Sequence, residues 1–196
     1  FQTDGFVLVR GLLEAAEVSD LDLQIERYIR EVVPAILPQH VFYESGRSGP
    51  VKHLSTPELY DEFFQTMLTR PATVELITAC LSQPVEPLCS EVFYKPAHVG
   101  AAAPYHQDNA YFQCFPAAEV ITSWIALDHV DEGNGCLRYI DGSHKGPLLP
   151  HSPLPTDPNN RVPPEELIDR SKESLALVRK GGVVFHHSQP LHPSHR

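Results

Sequence analysis

Pro104-Tyr105-His106-Gln107-Asp108-Asn109-Ala110-Tyr111-Phe112 is the stretch around which the chain can be read. Read as a strand, it places His106 and Asp108, two residues apart, on the same face. An imidazole and a carboxylate then emerge side by side, close enough to share one cation. A third ligand has to come from elsewhere, and Leu191-His192-Pro193-Ser194-His195 near the far end offers one.

Outward from that stretch, the chain from Val85 onward consists of short β-rich runs separated by Gly, Pro and Asn. They are Leu88–Tyr94, Pro104–Phe112, Val120–Leu127, Cys136–Ile140, Ser174–Val178 and Val183–His187. Such a series predicts a β-sandwich or barrel. A jelly roll is the arrangement that brings strands as distant in sequence as those of His106 and His192 into contact. Gly146 to Arg170 is proline-rich and poorly periodic, so it reads as a long surface insertion. Loops of that length are uncommon unless functional or disordered. This one is expected near the open end of the jelly roll, mobile and able to close over a substrate.

Upstream, Phe6-Val7-Leu8-Val9 reads as a strand. Leu13, Val18, Leu21, Ile25, Tyr28, Ile29 and Val32 approximate one helical face, with Ser19-Asp20 as the expected cap and Pro34 as the stop. Val41–Tyr43 reads as a short strand and Ser45–Pro50 as a loop. Thr56 is expected to cap a second helix with Pro57 at its first position, and Ala72–Leu81 reads as a third. The expectation is a single domain over 1–196, mainly β, with a mostly helical part over 1–84 packed on one face of a jelly-roll core over 85–196.

At 196 residues, 42% hydrophobic and 20% charged, the composition is that of a globular protein with a sizeable core. The formal net charge of −10 argues against nucleic acid and against an anionic membrane surface as partners, and leaves a small-molecule substrate. No apolar run approaches a membrane span, and no signal-peptide pattern opens the chain. Cys80, Cys89, Cys114 and Cys136 form no CxxC pair and suit no zinc site. They are expected to be buried free thiols in a reducing cytoplasm. The composition does not decide the oligomeric state.

Two histidines and one carboxylate on one face of a metal, with positions left open, is the ligand set of non-haem Fe(II) oxygenases. The surrounding motifs agree. His106-Gln107-Asp108, Ser123-Trp124-Ile125-Ala126-Leu127-Asp128, Gly133–Arg138, Asp141–Lys145 and Gly181–His187 ahead of His192 occur in order. Together they closely resemble the phytanoyl-CoA dioxygenase family of Fe(II)/2-oxoglutarate oxygenases, and the likeness extends more loosely back to Thr3–Val7. The resemblance implies a double-stranded β-helix (jelly roll, cupin-like). It implies Fe(II) held by His106, Asp108 and His192, with 2-oxoglutarate and O2 as co-substrates. The expected reaction is hydroxylation of an aliphatic C–H of a small molecule or acyl-CoA, with release of succinate and CO2. Related halogenases carry a small residue where Asp108 stands, so its carboxylate implies hydroxylation rather than chlorination.

The same resemblance implies that Trp124 walls the 2-oxoglutarate site and that the Ser194 hydroxyl and Lys52 lie near the co-substrate's distal carboxylate. Read from residue type alone, Trp124 suits a core position equally well, Ser194 a turn and Lys52 a solvated surface. His186 and His187 compete with His192 for the third ligand position; with His187 the family's H-x-S pairing would fail, whereas His192 and Ser194 satisfy it. His40, His53, His98, His129, His144, His151 and His195 are expected at the surface or behind the ligands. The resemblance also implies an arginine on a final strand, paired bidentately with the 2-oxoglutarate carboxylate. Arg196 follows His192 too closely for that role. That arginine and the last core strand are therefore expected in a further or disordered C-terminal segment. Two other readings stay open: a cupin-type metalloenzyme without 2-oxoglutarate, and a catalytically silent metal- or metabolite-binding relative.

Overall fold

Two units make up the chain, Phe1–Leu13 with Ala102–Arg196, and Glu14–Ala101. The computed structural model describes residues 1–44, 49–95, 103–155 and 157–194. Loop residues 45–48, His98, His195 and Arg196, all given a reading above, lie outside the described residues. In chain order the elements begin with β1 (Phe6–Val9), α1 (Ala15–Arg27), β2 (Val41–Tyr43), β3 (Val51–Ser55), α2 (Glu62–Leu68), α3 (Pro71–Leu81) and β4 (Glu91–Phe93). They continue with β5 (Ala103–His106), α4 (Asn109–Phe112), β6 (Ile121–Ile125), β7 (Leu137–Ile140), β8 (Ser152–Leu154) and β9 (Asp157–Val162). The last three are β10 (Glu173–Ala176), β11 (Val183–His187) and β12 (His192–Ser194).

In the unit Glu14–Ala101, α1 buries Val18, Leu21 and Ile25, the spacing of one helical face. Its cap is Glu14, not the expected Ser19-Asp20. The Glu14 N–H donates to the Glu17 carboxylate at 2.7 Å, while the Ser19 hydroxyl bonds back to the Ala15 carbonyl inside the helix at 2.9 Å. Thr56 does not cap a helix either. It takes a left-handed φ of 52°, Pro57–Leu59 is one 3-10 turn, and α2 is capped by Asp61, whose side chain accepts from the Phe63 N–H. The Tyr28 and Phe64 rings meet edge to face at 5.1 Å, and Arg27 pairs with Asp61 at 2.7 Å. β2, β3 and β4 form an antiparallel sheet. The strand within Leu88–Tyr94 thus pairs with β3 and is not a strand of the jelly-roll sheets.

The other unit is a jelly roll of two antiparallel sheets, β1-β11-β6 and β10-β7-β12-β5. β11 is buried at all five positions, which its run Val183-Val184-Phe185 dictates. A cluster of Ala126, Val130, Cys136, Leu137, Tyr139, Ala176, Val178 and Val184 forms the core, with Phe6, Leu8, Trp124 and Leu175 packed on it. The Gly181-Gly182 corner before β11 has a steric cause. Gly181 takes φ 83°, and a Cβ on Gly182 would lie 2.6 Å from Val178 Cγ1. Gly146–Arg170 is not shapeless: β8 and β9 pair as an antiparallel hairpin. All four cysteines are free thiols, but only Cys136 is buried and the others are half-buried. Among the described residues no helix is long and apolar enough to cross a membrane.

Candidate metal centre

The Pro104–Phe112 stretch is a strand only as far as His106. Asp108 takes φ −54° and ψ −36° and opens the helical turn α4. The two side chains therefore do not share a face by strand alternation. The chain turns a corner after His106, and the corner delivers the carboxylate to the imidazole, with His106 Nε2 at 3.5 Å from Asp108 Oδ1. Backbone bonds fix that corner: the Asn109 N–H donates to the Ser188 carbonyl at 2.9 Å, and the Tyr111 and Phe112 N–H groups return to the Asp108 carbonyl at 2.9 and 3.1 Å. Gln107, between the pair, is 1% exposed. Its amide donates to the Gln189 and Pro147 carbonyls and accepts from the Leu149 N–H. It fastens three segments behind the site, a role its sequence position did not disclose.

His192 arrives from β12, where it is the direct register partner of His106 on β5. Cross-strand partners point to one side, so both imidazoles meet the Asp108 carboxylate. His192 Nε2 lies 3.4 Å from Asp108 Oδ1, and the candidate ligand atoms of His106, Asp108 and His192 all fall within 4.8 Å of one another. The segment entering β12 is held by the Ser143 hydroxyl, which accepts from the Leu191 N–H at 2.8 Å. Both tautomers follow from hydrogen bonding. His106 Nδ1 donates to the Pro104 carbonyl at 2.8 Å and His192 Nδ1 to the Pro190 carbonyl at 3.1 Å. A carbonyl only accepts, so each Nδ1 carries the proton and each Nε2 turns a lone pair toward Asp108.

Burial, and then repulsion from His106, push the His192 imidazole down to about 3, so it is neutral at ordinary pH. Burial alone would raise the Asp108 carboxyl. The surrounding histidines, His192 first and then His106 and His186, outweigh it and hold the group well below the usual carboxylate range. Neutral imidazoles and an ionised carboxylate are the protonation states that a cation requires.

Behind the carboxylate stands a set that the sequence reading missed. Asp108 Oδ2 accepts from the Thr122 hydroxyl at 2.6 Å and from His186 Nε2 at 3.0 Å. His186 Nδ1 in turn meets the Tyr139 hydroxyl at 2.6 Å. His186 and His187 leave β11 on opposite faces, and His187 turns to His144, with ring centroids 5.6 Å apart. Period-two alternation signals that one of the pair points inward, but not which one.

Of the other expected site residues, Trp124 lies on β6 opposite Val184 and packs on the core cluster. Ser194 lies on β12 opposite Ala103 and Leu137. Lys52 lies on β3, in the unit Glu14–Ala101. His151 accepts the Gln107 N–H at Nε2, 3.2 Å away, at the foot of the β8–β9 hairpin.

An antiparallel jelly roll with a histidine–carboxylate–histidine cluster on its inner face defines a cupin-like metal-site protein. Residues 1–196 match the family model described as phytanoyl-CoA dioxygenase (PhyH). The chain belongs to that family. It is 26% identical over 208 residues to the peroxisomal phytanoyl-CoA dioxygenase of Bos taurus, an alignment covering 100% of this chain and 62% of the bovine one. The chain thus spans about three fifths of that relative's length. It is 23% identical over 198 residues to a probable alpha-ketoglutarate-dependent hypophosphite dioxygenase of Stutzerimonas stutzeri, covering 97% of this chain and 68% of the relative. In fold it is similar to EctD from S. alaskensis with 2-oxoglutarate and 5-hydroxyectoine. The TM-score there is 0.81 at 18% identity, covering 98% of this chain and 67% of that one.

Proposed function

We propose that the protein is an Fe(II)- and 2-oxoglutarate-dependent dioxygenase that hydroxylates an aliphatic C–H of a small molecule or acyl-CoA, with release of succinate and CO2. The observation that carries this reading is the convergence of three donors of the right kind. Two imidazole Nε2 atoms have their Nδ1–H tied to backbone carbonyls, and one carboxylate oxygen faces them. The set fits a divalent iron: two borderline nitrogen donors and one hard oxygen, ionised correctly without any proton having to leave. His106, Asp108 and His192 would hold the ion, and the bound iron would supply O2 activation coupled to oxidation of the 2-oxoglutarate keto acid.

The rest of the site follows from this chain's own groups. Trp124 presents an aromatic surface from β6 for the co-substrate, and Ser194 supplies a hydroxyl for its distal carboxylate. The Asp108 carboxylate occupies the position that chloride would need, so hydroxylation and not chlorination is the outcome. Membership of the family supports a small organic or acyl-CoA substrate. The four free thiols support a reducing compartment, which we take to be the cytoplasm.

The test is spectroscopic. Adding Fe(II) and then 2-oxoglutarate anaerobically should produce a visible metal-to-ligand charge-transfer band, absent from His106→Ala and from Asp108→Ala. A protein that binds iron but gives no band with 2-oxoglutarate would instead be a cupin-type metalloenzyme.

A further inference from the structure

We infer that His186, met at Nδ1 by Tyr139, is a positioning residue that fixes Asp108 so that it offers a cation a single oxygen, Oδ1. The inference deepens the metal-centre reading above and rests on it.

The two oxygens of Asp108 are treated differently by the fold. Oδ1 faces His106 Nε2 at 3.5 Å and His192 Nε2 at 3.4 Å. Neither imidazole has a proton to give there, because each Nδ1–H is spent on a carbonyl. Oδ1 is therefore an acceptor facing two acceptors, an arrangement that a cation resolves. Oδ2 already receives two donors, the Thr122 hydroxyl at 2.6 Å and His186 Nε2 at 3.0 Å. A carboxylate with one oxygen committed in this way does not swing to chelate through both.

Asp108 Oδ2 only accepts, so His186 Nε2 carries the proton, and the bare Nδ1 of the neutral ring is then met by Tyr139. Its hydroxyl lies 2.6 Å from Nδ1, and the ring is 0% exposed. Phe6 stacks on it at 4.3 Å, with 16° between the planes. The order of donation is thus Tyr139 O–H to His186 Nδ1, then His186 Nε2–H to Asp108 Oδ2. His186 itself stays out of the ligand set, which comprises only His106, Asp108 and His192 among the described residues. A histidine that follows the apolar run Val183-Val184-Phe185 on β11 is thereby placed behind the ligand, where the hydrogen bond orients the metal site.

The consequence for coordination is specific. One-point binding by Asp108 leaves three positions of an octahedral ion open, enough for a bidentate oxo-acid and one further ligand. Two-point binding would leave only two.

Co(II) added to the metal-free protein is the probe, because its visible absorption reports coordination number as well as occupancy. His186→Phe keeps the ring volume and removes the donor. It should weaken Co(II) binding about 10–100-fold, the range typical of groups behind metal ligands, and change the band shape. His186→Gln can still donate to Oδ2 and should recover most of the affinity and the parent spectrum. Tyr139→Phe removes the donor to Nδ1 and should weaken binding less, with the same direction of spectral change. A folded His186→Phe that binds Co(II) within about twofold of the parent with an unchanged spectrum overturns the inference. If His186→Phe does not fold, Tyr139→Phe decides, and parent-like affinity and spectrum there overturn it equally. A parent protein that takes up no Co(II) would remove the metal-centre reading itself, and this inference with it; parent binding with indifferent variants removes only this inference.

Discussion

Strand β11 and the β8–β9 hairpin both adjoin the candidate metal centre and are built in opposite ways. β11 is buried at every position and paired on both edges, with β1 and with β6. It presents His186 to Asp108 from a setting that cannot shift without disturbing the core. Among the described residues the hairpin's strands pair with each other, and Ser152, Pro153 and Arg161 are exposed. It is fastened to the metal-bearing corner by polar contacts, chiefly the Arg161 N–H to the Tyr111 hydroxyl at 2.7 Å. The Gln107–His151 bond lies at its foot. The difference separates two requirements. Groups that orient a metal need over-determined positions, whereas a surface segment held by a few polar contacts is free to move or vary.

The largest expected effect falls on the ligands. His106→Ala, Asp108→Ala and His192→Ala should each reduce iron-dependent conversion of 2-oxoglutarate to the no-enzyme background. That is a greater loss than the roughly 10–100-fold expected for groups behind the ligands. Succinate release measures it, and an active, iron-replete His192→Ala protein would shift suspicion to another histidine.

Stability should divide the two regions next. Phe185→Ala on β11, 0% exposed, should cost about 3–5 kcal/mol, whereas Ser152→Ala on the hairpin should stay within about 0.5 kcal/mol. Urea midpoints at constant slope give both values, and similar costs would erase the contrast drawn here.

Acid should find the buried side first. His192 is held down at about 3 in the folded metal-free protein, against 6.5 in the unfolded chain. Below pH 6.5 the unfolded chain therefore binds more protons than the folded one. Stability falls as pH drops from about 6.5 toward 3, by on the order of a few kcal/mol. Asp108 acts in the same direction lower down, since its folded carboxyl lies below 3.8 and its contribution disappears as it protonates. His151 at the hairpin foot is also lowered, by burial first, and is a smaller contributor to the same slope. Replacing His192 by Gln should flatten the pH dependence of the urea midpoint; an unchanged slope would assign it to other groups.

The smallest effect concerns the hairpin latch. Tyr111→Phe removes the hydroxyl that accepts from the Arg161 N–H at 2.7 Å and donates to the Arg161 carbonyl at 3.4 Å, and should cost about 1 kcal/mol. It should also quicken proteolytic nicking between Pro150 and Arg161. In the unaltered protein, Fe(II), 2-oxoglutarate and substrate together should slow that nicking. Equal rates with and without them would mean that the hairpin does not close over the site.

Much of this molecule is written locally. The β-rich runs from Val85, the β1 strand and the helix from Pro71 are readable because alternation, apolar periodicity and proline act over a few residues. The ligand types and their order are also readable, because a metal demands particular donors whatever the fold. Three things are not. Asp108 reaches His106 round a helical corner and not along a strand, since the Asn109–Ser188 bond and the burial of Gln107 override the local pattern. The Leu88–Tyr94 run lies beside β3 because pairing partners, not propensity, assign a strand to its sheet. His192 stands opposite His106, and His186 rather than His187 faces Asp108, only because the register of β12 on β5 and of β11 on β6 is what it is. A slip of one residue would exchange the two faces without changing a letter of the local sequence. Sequence determines which groups can bind the metal; long-range register decides which of them meet it.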